Sequence, residues 1–333
     1  MKHIIIICSF MVLLSSCNSK PRQTQKLQGE DKIAVVVPVF SGDSAYSFVA
    51  QQVAFGPRVP GTPAHEAAAQ WLETKLGEYA DAVYVQEFRT RIYNGMGMDG
   101  KNIIASFNPQ AKKRIVLAAH WDSRPFADHD EDSSNWNKAI DGANDGASGV
   151  GVLIEMARLF KKHPLQERVG VDIVLFDLED YGPPYQESEK YYTCQNHWAL
   201  GSQYWASVPH QLGYRANYGI LLDMVGGAEP NFPKEYYSQQ YAGWLSDKVW
   251  NKAIAMGYGD YFVNTIGDPI SDDHLPMNEI AGIPTIDIIG LNENSVNECF
   301  PDTWHTINDD IDHIVPSTLE MVGKVLCEII YNE

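Results

Sequence analysis

The stretch Arg114-Ile-Val-Leu-Ala-Ala-His120 is an apolar run that ends on a histidine, and it decides the fold of this chain. A second apolar run, residues 171–176, ends in the same manner on Asp177-Leu-Glu-Asp180. Strands that are apolar along their whole length are covered on both faces, which is typical of parallel sheets in α/β proteins. The two runs therefore predict central strands whose carboxyl ends carry polar side chains.

Helical patterns alternate with these runs. Apolar residues recur at helical spacing over residues 148–162, and Thr62-Pro63 supplies an N-cap and a first-turn proline for a helix that ends near Tyr79. Further helices are predicted over 238–256 and 316–330, and further strands over 83–91, 102–107, 220–222 and 284–289. This alternation predicts one α/β domain, residues 32–333, in which helices flank both faces of a central, mostly parallel, twisted sheet.

The composition restricts the classes of function. The chain has 333 residues, of which 44% are hydrophobic, and its formal net charge is −18. A hydrophobic content of this size supports a folded core and excludes a disordered or fibrous protein. Because a strongly negative surface repels phosphate groups, we expect no nucleic-acid partner.

The first residues predict export. Lys2 precedes an apolar run at residues 4–14, which is shorter than the roughly 20 residues that span a bilayer and is typical of a signal peptide. The following Leu-Ser-Ser-Cys17 resembles the lipobox of bacterial lipoproteins. The resemblance implies that residues 1–16 are removed, that Cys17 carries lipid, and that residues 17–31 form a polar tether. We therefore expect a lipoprotein on the periplasmic face of the inner or outer membrane, with the lipid as its only membrane contact.

Sulfur is not expected to bind metal in the mature domain. Cys194, Cys299 and Cys327 remain there, with no CxxC pair among them. An odd number of cysteines allows at most one disulfide, and the sequence leaves open whether Cys194 pairs with Cys299 or Cys327.

Acids and histidines follow several of the predicted strands. In open α/β sheets, ligands bind outside the carboxyl ends of the strands, so these side chains should meet at one edge. They are His120, Asp122, Glu179, Asp180 and Asp223 at strand ends, Asp145 ahead of a helix, and His305 beyond the last strand. Clustered carboxylates repel one another, and a divalent cation neutralises them. Histidine and carboxylate ligands without thiolate suit catalytic zinc.

The same residues carry a resemblance to a known family. His120-x-Asp122, Asn144-Asp145-Gly-Ala-Ser-Gly149, Glu179-Asp180, Asp223 and His305 match, in order, the metal-site framework of co-catalytic zinc aminopeptidases. His120-Trp-Asp-Ser-Arg-Pro125 and Phe300-Pro-Asp-Thr-Trp-His-Thr-Ile-Asn-Asp-Asp310 more closely resemble their relatives, the glutaminyl-peptide cyclotransferases. The resemblance extends from about residue 48 to the C-terminus.

The resemblance implies a zinc-assisted cyclisation of peptides or proteins that begin with glutamine. The α-amine attacks the γ-carboxamide of the same residue, which releases ammonia and leaves pyroglutamate. One zinc per chain would be held by Asp145, Asp180 and His305. His120 and Asp122 would hydrogen-bond these ligands or, alternatively, contact a second metal.

The resemblance also assigns roles to other residues. Glu179 would carry a proton from the α-amine to the leaving nitrogen, while Asp272 and Asp223 would hydrogen-bond the amine and the tetrahedral intermediate. The expected substrate-binding side chains are Trp304, Phe300 and Trp198.

Three features depart from animal glutaminyl cyclases. Asp180 stands where those enzymes have a second glutamate, and Asp287 stands where they have histidine. Residues 181–197 form an insertion that we expect to border the pocket.

Two alternative functions remain open at this point. In a two-zinc aminopeptidase, His120 and Asp223 would hold a second zinc, Asp145 would bridge the two metals, and Glu179 would activate a water molecule. A lipid-anchored binding protein that has lost catalysis is the alternative from another class, although all the expected ligand positions and the base are occupied.

Overall fold

Six strands form the central sheet of the computed structural model, which describes residues 36–191 and 197–333. The strands are β1 (Ala82–Arg91), β2 (Gly97–Phe107), β3 (Lys113–His120), β4 (Val169–Phe176), β5 (Tyr218–Asp223) and β6 (Thr285–Ile289). Their order across the sheet is β1-β2-β4-β3-β5-β6. The four strands β4, β3, β5 and β6 run parallel, and β1 and β2 add an antiparallel edge. The predicted mostly parallel sheet is thus confirmed.

Helices cover both faces of this sheet. They are α1 (Gly42–Val53), α2 (Pro63–Gly77), α3 (Ala147–Lys162), α4 (Leu200–Ser207), α5 (Tyr236–Ala255), α6 (His274–Glu279) and α7 (Pro316–Tyr331). The short helices α4 and α6 pack on one face, and the other five supply the larger core on the opposite face. At the start of α2, the Thr62 hydroxyl accepts a hydrogen bond from the His65 N–H, as its N-cap position predicts.

Strand β3 shows why the sequence pattern is continuous rather than alternating. Ile115 and Leu117 point into the larger core, whereas Val116 and Ala118 pack with Trp205 of α4 on the other face. Both faces of the strand are therefore apolar and fully buried. The polar side chains of the predicted site lie instead at the ends of the strands.

Unusual backbone conformations occur where the chain leaves the strands. Leu178, Met224 and His305 have φ values of 56°, 48° and 54°, a left-handed conformation that costs non-glycine residues about 1–3 kcal/mol. Gly146, with φ of 92°, lies so close to His120 that a Cβ atom would stand 2.8 Å from the ring. Leu178 and Met224 lie just after β4 and β5, next to Glu179 and Asp223, so the unusual backbone occurs beside residues predicted for the site.

Two sequence predictions concern residues outside the described ranges. The proposed signal peptide and Cys17 fall within residues 1–35, and Cys194 falls within residues 192–196. Among the described helices, none combines the length and apolar character needed to cross a bilayer.

Candidate active site

A cavity of about 310 Å³ lies at the carboxyl ends of β4 and β5. Nine residues predicted from the sequence line it, namely Asp145, Glu179, Asp180, Trp198, Asp223, Asp272, Phe300, Trp304 and His305. His120 and Asp122 are not among its lining residues and are only 2% and 0% exposed. The folded chain therefore brings together residues that are up to 160 positions apart in the sequence.

The first candidate metal site combines Asp145, Asp180 and His305. Each offers one ligand atom, and the three atoms lie within 4.8 Å of one another. The His305 Nε2 atom is 3.2 Å from Asp180 Oδ1 and 3.6 Å from Asp145 Oδ2. The three side chains come from the loop after β6, the end of β4 and the segment before α3, so the site exists only in the folded sheet.

A second candidate site shares Asp145 with the first. His120 Nε2 lies 3.0 Å from Asp145 Oδ1 and 3.4 Å from Asp223 Oδ1. The ligand atoms of these three residues also lie within 4.8 Å of one another. The fold thus retains both halves of a two-metal arrangement, and geometry alone does not choose between one ion and two.

The buried polar atoms at these two sites fit a cation. Asp180 Oδ2, Asp223 Oδ1 and His120 Nδ1 have no hydrogen-bond partner among the described residues, and the contacts of His120 Nε2 with Asp145 and Asp223 do not have hydrogen-bond geometry. Buried polar groups are otherwise almost always paired, and unpaired carboxylates in an apolar interior are costly. A donor set of carboxylates and imidazoles matches the ligands of catalytic zinc.

His305 faces a carboxylate that was not identified from the sequence. Its Nδ1 atom lies 3.4 Å from Asp128 Oδ1. Arg124 donates two hydrogen bonds to Asp128, of 2.8 and 2.6 Å, and one of 3.0 Å to the Asp180 carbonyl oxygen. Burial alone would raise the pKa of Asp128, but Arg124 and His305 hold it well below its ordinary range. Arg124 therefore contacts the loop that carries Asp180 directly and the loop that carries His305 through Asp128.

Two further carboxylates fix the backbone at the ligands. Asp122 accepts hydrogen bonds from the N–H groups of Glu179 and Asp180, at 3.2 and 3.3 Å. Asp309 accepts from the N–H groups of Asn144 and Asp145, at 2.7 and 3.1 Å. Asp122 therefore supports the end of β4, whereas Asp309, another residue missed from the sequence, joins the His305 loop to the Asp145 loop.

Glu179 has the environment of a group that carries protons. Its side chain lines the cavity but is only 9% exposed. Burial, assisted by the charges of Asp272 and Asp180 and opposed by His120, raises the pKa of Glu179 well above its usual range. A carboxyl group with a raised pKa can both accept and donate a proton near neutral pH.

Aromatic rings form one wall of the cavity. The Trp304 ring stacks on His305 with centroids 3.7 Å apart, and Phe300 lies 4.4 Å from Trp304. The Trp198 ring centroid is 6.4 Å from that of His305, and the Arg124 guanidinium carbon is 4.8 Å from the Trp198 ring centroid. The predicted substrate-binding aromatics thus all lie around the first metal site.

Comparisons with known proteins agree with this geometry. The model of peptidase family M28 matches residues 102–330. A structure of Bacteroides thetaiotaomicron glutaminyl cyclase bound to N-acetylhistamine is 48% identical, has a TM-score of 0.84, and covers 90% of this chain and all of that chain. A zinc-dependent exopeptidase from Parabacteroides distasonis is 45% identical, with a TM-score of 0.85 and the same coverages. The glutaminyl-peptide cyclotransferase of Gloydius blomhoffii is 26% identical over 81% of this chain and 75% of its own length.

Proposed function

Because this chain belongs to peptidase family M28 and is 48% identical to a glutaminyl cyclase, we propose that it is itself a glutaminyl-peptide cyclotransferase. It converts the N-terminal glutamine of peptides or proteins to pyroglutamate and releases ammonia. This function agrees with the fold, with the ligand residues and with the cyclase relatives.

The observation that carries the proposal is that Glu179, the Asp145–Asp180–His305 triad and an aromatic wall lie together in a cavity of about 310 Å³. A ring-closing reaction needs the glutamine side chain to fold back on its own amine, and a cavity lined by aromatic residues can hold it in that conformation. Positioning of this kind supplies a large part of the rate enhancement of an intramolecular reaction.

In this proposal, Asp145, Asp180 and His305 hold one zinc ion, and the unpaired buried atoms of the site support a cation there. When bound, zinc acts as a Lewis acid toward the γ-carbonyl oxygen of glutamine. The protein residues then have to position the amine and move one proton.

Glu179 moves that proton. As the α-amine nitrogen bonds to the γ-carbon, Glu179 accepts a proton from the amine. It then donates the proton to the amide nitrogen, the carbon–nitrogen bond breaks, and ammonia leaves. The raised pKa of Glu179 suits a group that must be base and acid in turn.

Asp223 and Asp272 line the cavity with Glu179 and can accept hydrogen bonds from the α-amine. Trp304 and Phe300 would hold the aliphatic part of the glutamine side chain. The two acids and the two aromatic rings together keep the α-amine directed at the γ-carbon, which is the geometry that the reaction requires.

A two-zinc aminopeptidase is the second candidate function, and the complete His120–Asp145–Asp223 site favours it. Gln-β-naphthylamide and Leu-p-nitroanilide distinguish the two. A cyclase releases ammonia from the first compound and leaves the second intact. Hydrolysis of the leucine anilide without ammonia release from the glutamine compound would establish the aminopeptidase instead.

Asp128→Asn should weaken zinc binding about 10- to 100-fold, because partners that orient ligand histidines typically contribute this much to affinity. The substitution keeps the shape of the side chain but removes the charge facing His305 Nδ1. Chelator competition measures the affinity. The matched control is Asp132→Asn, in the same acidic segment but exposed, which should leave affinity unchanged. Equal affinities in both variants would contradict an orienting role for Asp128.

The Leu-Ser-Ser-Cys17 segment supports the further proposal that the enzyme is an exported lipoprotein on the periplasmic face of a membrane. Cys17→Ser should therefore shift the protein from the membrane fraction to the soluble fraction of expressing cells. Immunoblots of the two fractions measure this shift, with Cys327→Ser as the control. Membrane association that persists in Cys17→Ser would refute lipid anchoring.

A further inference from the structure

A second cavity, of about 1110 Å³, lies beside the active-site cavity. Cys299, Phe300 and Trp304 line both, so the two spaces adjoin along these three residues. Among the described residues, no ligand of either candidate metal site at the active site lines the second cavity. It is therefore a space next to the reaction centre that the chemical step itself does not use.

The His129 ring fixes one wall of the second cavity to the active site. Its centroid lies 4.4 Å from that of Trp304 and 4.6 Å from that of Tyr185. The His129 N–H also donates a hydrogen bond of 3.1 Å to the His305 carbonyl oxygen. Tyr185 belongs to the predicted insertion at residues 181–197 and lines the second cavity, so the insertion borders the second cavity.

The lining of the second cavity is strongly negative. No lysine or arginine occurs among the described residues that line it, and its only basic side chains are the imidazoles of His129 and His313. Its five carboxylates belong to Asp130, Glu131, Asp132, Glu298 and Asp302. The carboxylates would outnumber the positive charges even with both imidazoles protonated, so charge complementarity favours a cationic ligand.

The carboxylates differ in whether they already have partners. Asp130 and Asp132 accept hydrogen bonds from backbone N–H groups of their own loop, at 3.0 and 2.9 Å. Asp302 accepts one from a backbone N–H at 3.0 Å. Glu131 and Glu298 are exposed and make no hydrogen bond or ion pair within the described part of the chain. These two glutamates can therefore meet a ligand without breaking an existing contact.

A peptide substrate has to continue beyond the active-site cavity. In the proposed reaction, the α-amine and the γ-carboxamide of the N-terminal glutamine both lie at the metal site, and its α-carbonyl leads to the next residue. An extended chain advances about 3.3–3.6 Å per residue, so the next three residues need roughly 10 Å of adjoining space. The second cavity offers such a space, because it shares a wall with the first.

We propose that the second cavity binds the residues that follow the N-terminal glutamine, and that its carboxylates select lysine or arginine at these positions. The inference rests on the proposed cyclase function, since that function supplies a peptide substrate. Continuity with the active site and the negative lining both identify a basic peptide segment as the occupant.

Fluorescence anisotropy tests the binding without turnover. The probe is pyroglutamyl-Gly-Lys-Lys with a neutral fluorophore at its C-terminus. The wild-type protein should bind it about 4- to 25-fold more tightly than Glu131→Gln/Glu298→Gln does, because each exposed ion pair contributes roughly 2- to 5-fold to affinity.

The matched control is Glu87→Gln/Glu167→Gln, which removes two charges from exposed positions that line neither cavity. It should bind the probe as the wild type does, and so separates the second cavity from the general attraction of a chain with net charge −18. Equal affinities in all three proteins, or equal losses in both double variants, would overturn the proposal whether or not the protein cyclises glutamine.

Two substrates, Gln-Gly-Lys-Lys-amide and Gln-Gly-Glu-Glu-amide, test whether the second cavity acts in the reaction. In the wild type, kcat/KM for ammonia release should be about 10-fold higher for the lysine peptide, mainly through KM, and 1 M salt should abolish this preference because it screens exposed charges. The ratio is taken within each protein, so differences in zinc content or folded fraction cancel.

The preference for the lysine peptide should fall at least about 4-fold in Glu131→Gln/Glu298→Gln and persist in Glu87→Gln/Glu167→Gln. Equal kcat/KM values for the two peptides in the wild type, or the same ratio in both double variants, would contradict the proposal. A wild-type protein that forms no pyroglutamate from either peptide would refute the proposed function, and the anisotropy measurement would still decide whether the second cavity binds basic peptides.

Discussion

Glu179→Gln should lower kcat for ammonia release from a Gln-initiated dipeptide by about 10²- to 10⁴-fold, the usual contribution of a general acid–base group. The amide has the size of the carboxyl group but cannot accept the amine proton. Zinc content should not change, because Glu179 belongs to neither candidate triad around the cavity. Stopped assays with coupled detection of ammonia, together with elemental analysis, measure both quantities.

The effect should fall on kcat rather than on KM. Glu179 lines the cavity, but in our proposal the aromatic wall and the other acids bind the glutamine, so substrate affinity is largely retained. Glu293→Gln, an exposed residue in the loop after β6, is the matched control and should turn over normally. A Glu179→Gln enzyme with near-normal kcat, or one that has lost its zinc, would show that another group carries the proton.

The sequence was most informative about the strands that carry the site. The run that ends at His120 and the run that ends before Glu179 became β3 and β4, because a strand buried on both faces must be apolar along its length. Parallel strands place their carboxyl ends at one edge, and the acids and histidines predicted to cluster there line or adjoin a single cavity. Helices α1, α4 and α6 were not predicted; α4 and α6 have only eight and six residues, and segments this short give little signal.

The residues that orient the site could not be predicted, for a physical reason. Asp128 lies within Asp128-His-Asp-Glu-Asp132, a run of acids that resembles a solvated surface. Its function depends on contacts with Arg124 and His305, and the second of these is formed only by tertiary folding. Asp309 similarly holds backbone N–H groups about 165 residues earlier in the chain, a contact with no local pattern. Residues such as Asp128 and Asp309 are identified from the folded structure, because their spacing in the sequence does not indicate which residues they contact.

The number of bound ions separates the two enzyme functions, and two histidine substitutions determine it. His305→Gln should abolish stoichiometric zinc. Its loss of zinc affinity should exceed the roughly 10- to 100-fold that is expected when a residue that only hydrogen-bonds a zinc ligand is replaced. His120→Gln should keep one zinc per chain, because His120 belongs only to the second triad. Elemental analysis of purified, dialysed proteins gives the counts directly.

The expected counts are one zinc in the wild-type protein, none in His305→Gln and one in His120→Gln. A two-metal enzyme would instead contain two in the wild type and at most one in either variant, because each histidine would then serve its own ion. Two zinc ions in the wild-type protein, with loss of one in His120→Gln, would reverse the assignment and favour peptide hydrolysis over cyclisation.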